Sequence, residues 1–250
     1  MAKYAMAVDL DRCQGCRACM EACKIENNTP QGVFWMYVFR TETGDYPDTK
    51  LAFLPRPCQH CNNPPCVKVC PVGARFRRED GIVLTDPDRC IGCRYCEVAC
   101  PYGVNYYNWR TPTEAFADYN IDYLDPDVAA VTGGLVPSYK NPDLDLLQGD
   151  EQRRTAGGAH SVGVMEKCTF CVQRVDKGLD PACVDVCPVH ALHFGDIEDP
   201  DSPVSEYVRT RSSFQLLDDL GTDPSVMYFG GSPPGAETRE IERPLTEVRP

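Results

Sequence analysis

No hydrophobic run in this chain approaches the roughly 18 residues of a membrane-spanning helix. The longest, Val33–Phe39, has the length of a strand and is rich in aromatics. No bilayer span is therefore expected within the chain. The N-terminus pairs no charged start with a long apolar core, so no signal peptide is expected. Export would then be as a passenger on another protein. Cations are in deficit: 25 Lys and Arg stand against 37 Asp and Glu, a formal net charge of −12. Without a basic stripe, nucleic-acid binding is disfavoured. Histidine is scarce, and His60, His160, His190 and His193 are scattered. Their spacing assembles no catalytic dyad, so bond chemistry by this chain is not expected.

Cysteine is abundant, with 16 residues. From Cys90 to Pro101 the chain reads C-I-G-C-R-Y-C-E-V-A-C-P. A C-x-x-C-x-x-C loop points three thiolates at one centre. The next residues begin a helical turn that carries the fourth sulfur away, and proline ends that turn because it has no N–H to donate. This is the bacterial ferredoxin run, whose fourth cysteine ligates the other cluster of a pair. Cys13, Cys16, Cys19 and Cys23 repeat the spacing, with Lys24 in the proline's place. Cys58, Cys61, Cys66 and Cys70 widen the middle gap and end in Pro71. Cys168, Cys171, Cys183 and Cys187 widen it further and end in Pro188.

The quartets leave no thiol over, which argues for the quartet as the unit. A framework of disulfides is the first alternative. Zinc ribbons are the second, but they do not explain four C-x-x-x-C endings, three of them followed by proline. The reading is four 4Fe–4S clusters, each on four cysteines. Four oxidised clusters with their thiolates would add a charge of about −8. Arg12, Arg17, Lys24, Lys68, Arg89, Arg94, Lys167 and Arg174 stand close to the cysteines in sequence. They are expected to offset that charge or simply to be solvated.

Alternation predicts a strand over Lys3–Val8, a turn over Thr29–Gly32 and strands over Val33–Arg40 and Leu51–Leu54. A loop is expected over Thr43–Thr49. Ala74–Phe76 and Ile82–Leu84 flank Asp80-Gly81, a two-residue hairpin signal. Val104–Tyr107 and Ala191–Phe194 read as short strands. Residues 111–161 hold scattered Pro, Gly, Asp and Asn with no sustained period. They read as an irregular insertion, with one short helix near Glu114–Tyr119, serving as a partner's docking surface or as a surface loop. A helix is expected from Pro203 to about Arg211, and beyond it a polar tail suited to lying along a partner.

Quartets two and three, separated only by the Ala74–Leu84 hairpin, resemble a two-cluster ferredoxin. That resemblance implies exchanged fourth cysteines. One cluster then takes Cys58, Cys61, Cys66 and Cys100, and its neighbour takes Cys70, Cys90, Cys93 and Cys96. The same exchange gives Cys13, Cys16, Cys19 and Cys187 to a third. It gives Cys23, Cys168, Cys171 and Cys183 to a fourth. The implied fold is α+β: two ferredoxin-like lobes, one nested in the other, with a long insertion and an extended C-terminal tail. Residues 1–50 with 162–202 would form the outer lobe, 51–110 the inner lobe, 111–161 the insertion and 203–250 the helix and tail.

Three stretches carry a wider resemblance: C-Q-H-C-N-N-P-P-C-V-K-V-C-P, C-I-G-C-R-Y-C-E-V-A-C-P-Y-G-V and K-C-T-F-C-V-Q-R-V-D-K-G-L-D-P-A-C-V-D-V-C-P. On them the chain resembles the four-cluster electron-transfer subunits of the dimethyl-sulfoxide-reductase superfamily of molybdopterin oxidoreductases. The polysulfide, thiosulfate, tetrathionate, arsenate and dimethyl sulfoxide reductases have such subunits. The long insertion resembles the arsenate branch more than the polysulfide type. The resemblance implies a wire between a molybdenum or tungsten pterin catalytic subunit and a quinone-reactive membrane subunit or other carrier. It implies a peripheral place on the membrane, on the periplasmic face. It also implies that the Cys13 cluster lies nearest the catalytic subunit and the Cys58 cluster nearest the membrane partner, with His60 able to relay a proton there. A free polyferredoxin shuttling between soluble enzymes is the alternative, and co-purification separates the two.

Overall fold

The computed structural model describes residues 2–30, 32–109, 147–148, 153–154, 160–231 and 239–240. Strand β1 (Tyr4–Asp9) is buried along all but its first residue. Its backbone pairs on both edges, with Leu192–Asp196 and Val226–Phe229, and both faces of the strand are covered. The chain then rounds the first cysteine loop into α1 (Ala18–Asn27), the longest helix described. Nothing stops it after Cys23, because Lys24 stands where the other quartets carry proline. Lys24 Nζ donates to the carbonyls of Pro30 (3.0 Å) and Val33 (3.1 Å) and lies 4.7 Å from the Phe34 ring centre. It thereby ties down the turn that follows the helix.

Strands β2 (Tyr37–Thr43) and β3 (Lys50–Arg56) form an antiparallel hairpin running from Tyr37↔Arg56 to Thr43↔Lys50. The strand expected from Val33 begins instead at Tyr37. Residues 33–36 belong to the turn: the Val33 carbonyl serves Lys24 and Thr29, and Val33 N–H bonds Pro30. Next come α2 (Pro65–Lys68), β4 (Arg75–Arg77), β5 (Val83–Thr85), α3 (Tyr95–Val98) and β6 (Tyr106–Tyr107). The β4–β5 ladder ends at Arg77↔Val83, so its turn is longer than two residues. Asp80 causes this by turning inward, where it accepts from Ile82 N–H (3.1 Å) and Arg78 (2.7 Å).

Two short pairings follow: β7 (Leu147–Gln148) with β8 (Arg153–Arg154), and β9 (Met165–Glu166) with β6. Most of the insertion, including the helix expected near 114–119, lies outside the described residues. Then come α4 (Val172–Val175), α5 (Ala182–Asp185), β10 (Leu192–Asp196) and α6 (Pro203–Thr210). Helix α1 packs on α5, and α2 packs on α3.

The segment after α6 was expected to be a polar tail suited to lying along a partner, and its first part instead joins the chain's own sheet. It forms β11 (Ser213–Phe214), a 3-10 turn (Asp218–Leu220) and β12 (Val226–Phe229), and later residues add β13 (Arg239–Glu240) beside β2. β12 enters the sheet parallel to β1, giving the order β10-β1-β12-β11. Val226, Tyr228 and Phe229 have no exposure at all. Burying each contributes about 1.5–3 kcal/mol as an upper bound. A clasp holds the segment at both ends: Arg211 pairs with Asp9 and Asp11, and Gly231 N–H reaches Asp11 (2.9 Å).

Candidate iron–sulfur sites

The four cysteine loops share one backbone feature. The residue just before each quartet's second cysteine has positive φ: Gly15 (65°), His60 (41°), Gly92 (66°) and Phe170 (55°). This left-handed step curls the loop so that successive thiols face inward. At Gly92 it is joined by a steric demand, since a Cβ there would meet the Gly163 carbonyl oxygen at 2.0 Å. After three of the fourth cysteines, C-P-x-G or C-P-x-H repeats the trick, with positive φ at Gly73, Gly103 and His190.

Each hollow takes cysteines from two quartets. One is lined by Cys58, Cys61, Cys66 and Cys100. A second is lined by Cys13, Cys16, Cys19 and Cys187. A third is lined by Cys70, Cys90, Cys93 and Cys96. Cys23, Cys168, Cys171 and Cys183 are all buried. The Cys183 thiol feels the charge of the other three.

Burial, then neighbouring thiols, push Cys19 and Cys61 up to about 12. Cys168 rises to about 12 for the same reasons in the same order. Burial drives Cys23 and Cys183 well up too. Without a cationic guest these sites favour neutral thiols at pH 7. Among the described residues no three His, Cys, Asp or Glu side chains converge on a single ion. All-cysteine donors around a space wider than one ion's shell fit a polynuclear iron–sulfur group.

Donors to sulfur are in place as well. Backbone N–H groups approach Sγ of Cys187 (Ala191, 3.3 Å), Cys90 (Met165, 3.4 Å), Cys168 (Phe170, 3.4 Å) and Cys70 (Arg75, 3.5 Å). Asn27 Nδ2 lies 3.5 Å from Cys171 Sγ and 3.6 Å from Cys23 Sγ. Its carbonyl accepts from His160 Nε2 (2.7 Å), whose Nδ1 meets buried Glu166 (2.6 Å). Asn27 was not singled out from the sequence, although its place four residues after Cys23 on a helix was a usable signal.

The four groups stand in a series. Cys183 of the buried group feels Cys19 of the Cys13 group, and Cys168 feels Cys58. Cys66 and Cys96 share a small core cluster with Val83 and Met165. The order is therefore Cys13 group, Cys168 group, Cys58 group, Cys90 group. Cys16 and Cys93, in the two end groups, are the exposed thiols.

This corrects two expectations. The Cys58 group is interior, not terminal. His60 is buried and stacks on Phe170 at 3.7 Å, linking two loops, while its Nδ1 accepts from Val83 N–H (3.1 Å). Burial, then the charges of Lys167 and Arg75, hold His60 well below the ordinary histidine value. The backbone N–H groups of the neighbouring Asn62 and Asn63 donate to the carbonyls of Asp223 (2.7 Å) and Thr222 (3.0 Å) in the chain's own C-terminal segment, while both residues stay exposed. Tyr102 Oη meets Thr222 Oγ1 at 2.5 Å, closing the same side.

Three of the flanking cations are paired with carboxylates. Arg94 pairs with Glu97 (2.8 Å), Arg89 with Asp86 (3.3 Å), and Arg174 with Asp185. Lys167 is the buried exception, bonding the carbonyls of Val83 and Cys168 (2.9 Å).

The fold and these sites define a ferredoxin-like iron–sulfur protein. Two family models, each described as a 4Fe-4S dicluster domain, match residues 12–74 and residues 49–123 with 156–197. A Halobacterium salinarum protein named as a dimethyl sulfoxide reductase iron–sulfur subunit is 42% identical, covering 92% of this chain and 80% of its own. The arsenate respiratory reductase iron–sulfur subunit of a Shewanella species is 40% identical, covering 91% and 96%. The iron–sulfur cluster-binding subunit of menaquinone reductase from Nitratidesulfovibrio vulgaris is 36% identical, covering 91% and 88%. The chain belongs to the iron–sulfur electron-transfer subunits of the molybdopterin oxidoreductase family, which are the non-catalytic members of their complexes.

Proposed function

We propose that the chain holds four 4Fe–4S clusters, one in each all-cysteine group, and carries electrons between two partner subunits. The serial order of the four groups carries this reading, with exposed thiols only in the two end groups. When bound, the clusters supply one-electron centres close enough to exchange charge. The chain fixes their order, excludes water from the two inner sites and donates N–H groups to the sulfurs. The lobes are nested, 51–110 inside 1–50 plus 162–202. Packing of α1 on α5 and of α2 on α3 supports that division.

The Cys13 end serves a molybdenum or tungsten pterin catalytic subunit. The Cys90 end serves a quinone-reactive membrane subunit. Ile91, Tyr95 and Val98 stand exposed at that end, Val98 to 85%, and suit an apolar partner. A relative named menaquinone reductase favours a quinone. Among the described residues no helix is long and apolar enough to cross a membrane. The chain sits peripherally on the membrane as part of a complex, and the family resemblance favours the periplasmic face. Residues 111–161 contribute to docking.

Iron and sulfide analysis of anaerobically purified protein tests the cluster count. About sixteen irons per chain are expected, with visible absorption that zinc cannot give. A reproducible value of about eight, with zinc as the balance, would overturn the reading.

A further inference from the structure

Arg75 opens β4, outside every cysteine loop, and nothing in the sequence marks it. Its side chain is only 2% exposed. Nε and both terminal nitrogens are buried, and none has a partner of normal hydrogen-bond geometry within the protein; the acceptor within the side chain's reach is the Cys96 thiol. A guanidinium carries five N–H donors and cannot shed its charge. Leaving all of them dry and unmatched is among the costliest arrangements a fold can hold.

The surroundings supply the missing acceptors. Arg75 lines the hollow of Cys70, Cys90, Cys93 and Cys96, and its own backbone N–H approaches Cys70 Sγ at 3.5 Å. It also stands at the boundary. Cys96 of this group and Cys66 of the next pack in one small cluster with Val83, on the strand paired with β4. Lys167 gives the contrast. That lysine sits at the preceding junction, near Cys66 and Cys168, yet its ammonium is satisfied by two carbonyls. Lys167 pins the backbone, whereas Arg75 has donors to spare.

We infer that Arg75 is a positioning and tuning residue shared by the Cys58 and Cys90 sites, its guanidinium donating to the sulfur atoms of the groups bound there. The inference rests on the four-cluster reading. A fixed cation between two neighbouring centres favours the reduced form of each and screens the repulsion when both are reduced. It makes the last inner step toward the exposed Cys90 end less uphill when electrons accumulate.

The test is redox titration of the purified chain, followed by electron paramagnetic resonance, on the wild type, Arg75→Gln and Arg75→Lys. Iron content is measured on each sample. Wild-type iron near the full complement tests the cluster reading by itself. Given that, Arg75→Gln should shift two of the four midpoints to lower potential, leave the other two in place and strengthen the repulsive redox interaction between the shifted pair. Arg75→Lys keeps the charge without the fork and should keep both midpoints closer to wild type than Arg75→Gln does. Unchanged midpoints in Arg75→Gln at full iron would overturn the inference. So would equal shifts in all four centres, or loss of iron in both variants, since a charge-keeping replacement must still hold both groups.

Discussion

Gly92→Ala probes how tightly the fold holds the end of the series. The new Cβ would stand 2.0 Å from the Gly163 carbonyl oxygen and 3.1 Å from Tyr107 Cε2. Ordinary contact begins at 3.4 Å, so one backbone segment must yield by about 1.4 Å. Gly163 is poorly placed to yield. Its N–H bonds the Asn108 carbonyl (2.9 Å), and Asn108 N–H bonds Val164 (3.0 Å), locking the strand pair. Alanine at φ +66° also bears the left-handed penalty of about 1–2 kcal/mol. Overpacking adds about 1–3 kcal/mol.

Gly103→Ala separates the two costs. It has nearly the same backbone angle, φ +61°, with nothing within 4 Å of its Cβ. Only the left-handed penalty applies there. Gly92→Ala should therefore be less stable than Gly103→Ala by about 1–3 kcal/mol. It should also lose iron from the Cys90 site first, since its loop holds Cys90 and Cys93. The assay is anaerobic thermal denaturation followed by circular dichroism and visible absorption at one scan rate, because cluster loss makes unfolding irreversible. Equal midpoints and equal iron in the two variants would refute the steric argument.

Two further outcomes are expected. Cys23→Ser should cost the group shared with Cys168, Cys171 and Cys183 and spare that of Cys13, Cys16 and Cys19, read as loss of one spectroscopic centre; loss of the Cys13 centre instead would show the exchange to be wrong. Ending the chain after Arg211 removes β12, whose Val226, Tyr228 and Phe229 contribute up to about 1.5–3 kcal/mol each. That truncation should lower the thermal midpoint steeply and release iron from the Cys58 site, which Thr222 and Ser225 help to close. Retained iron with an unchanged midpoint would mean that the segment is an ornament.

The cysteine loops were legible because their chemistry is local. A thiol every third residue, a left-handed residue before the second cysteine and a proline after the fourth act within a few residues, so spacing alone points to iron–sulfur groups. The strand before the first quartet and the pairing of β4 with β5 were legible for the same reason. Family membership follows from the same motifs.

What lay beyond the sequence depends on residues far apart in the chain. Four apolar residues in a polar tail, Val226–Phe229, give no strand signal until β1 offers an edge. The fully buried Tyr228 bonds the Pro55 carbonyl (3.0 Å), a partner that no local pattern names. His60 was expected to be able to relay a proton toward a partner, but Ser225 and Phe170 pack against it and bury it. Arg75 lies in no motif at all. Spacing along the chain therefore determined which residues can face a common centre. The order of those centres, and which cations lie between them, was decided by the packing of α1 on α5 and α2 on α3 and by the closing strand, because burial and charge act through space rather than along the backbone.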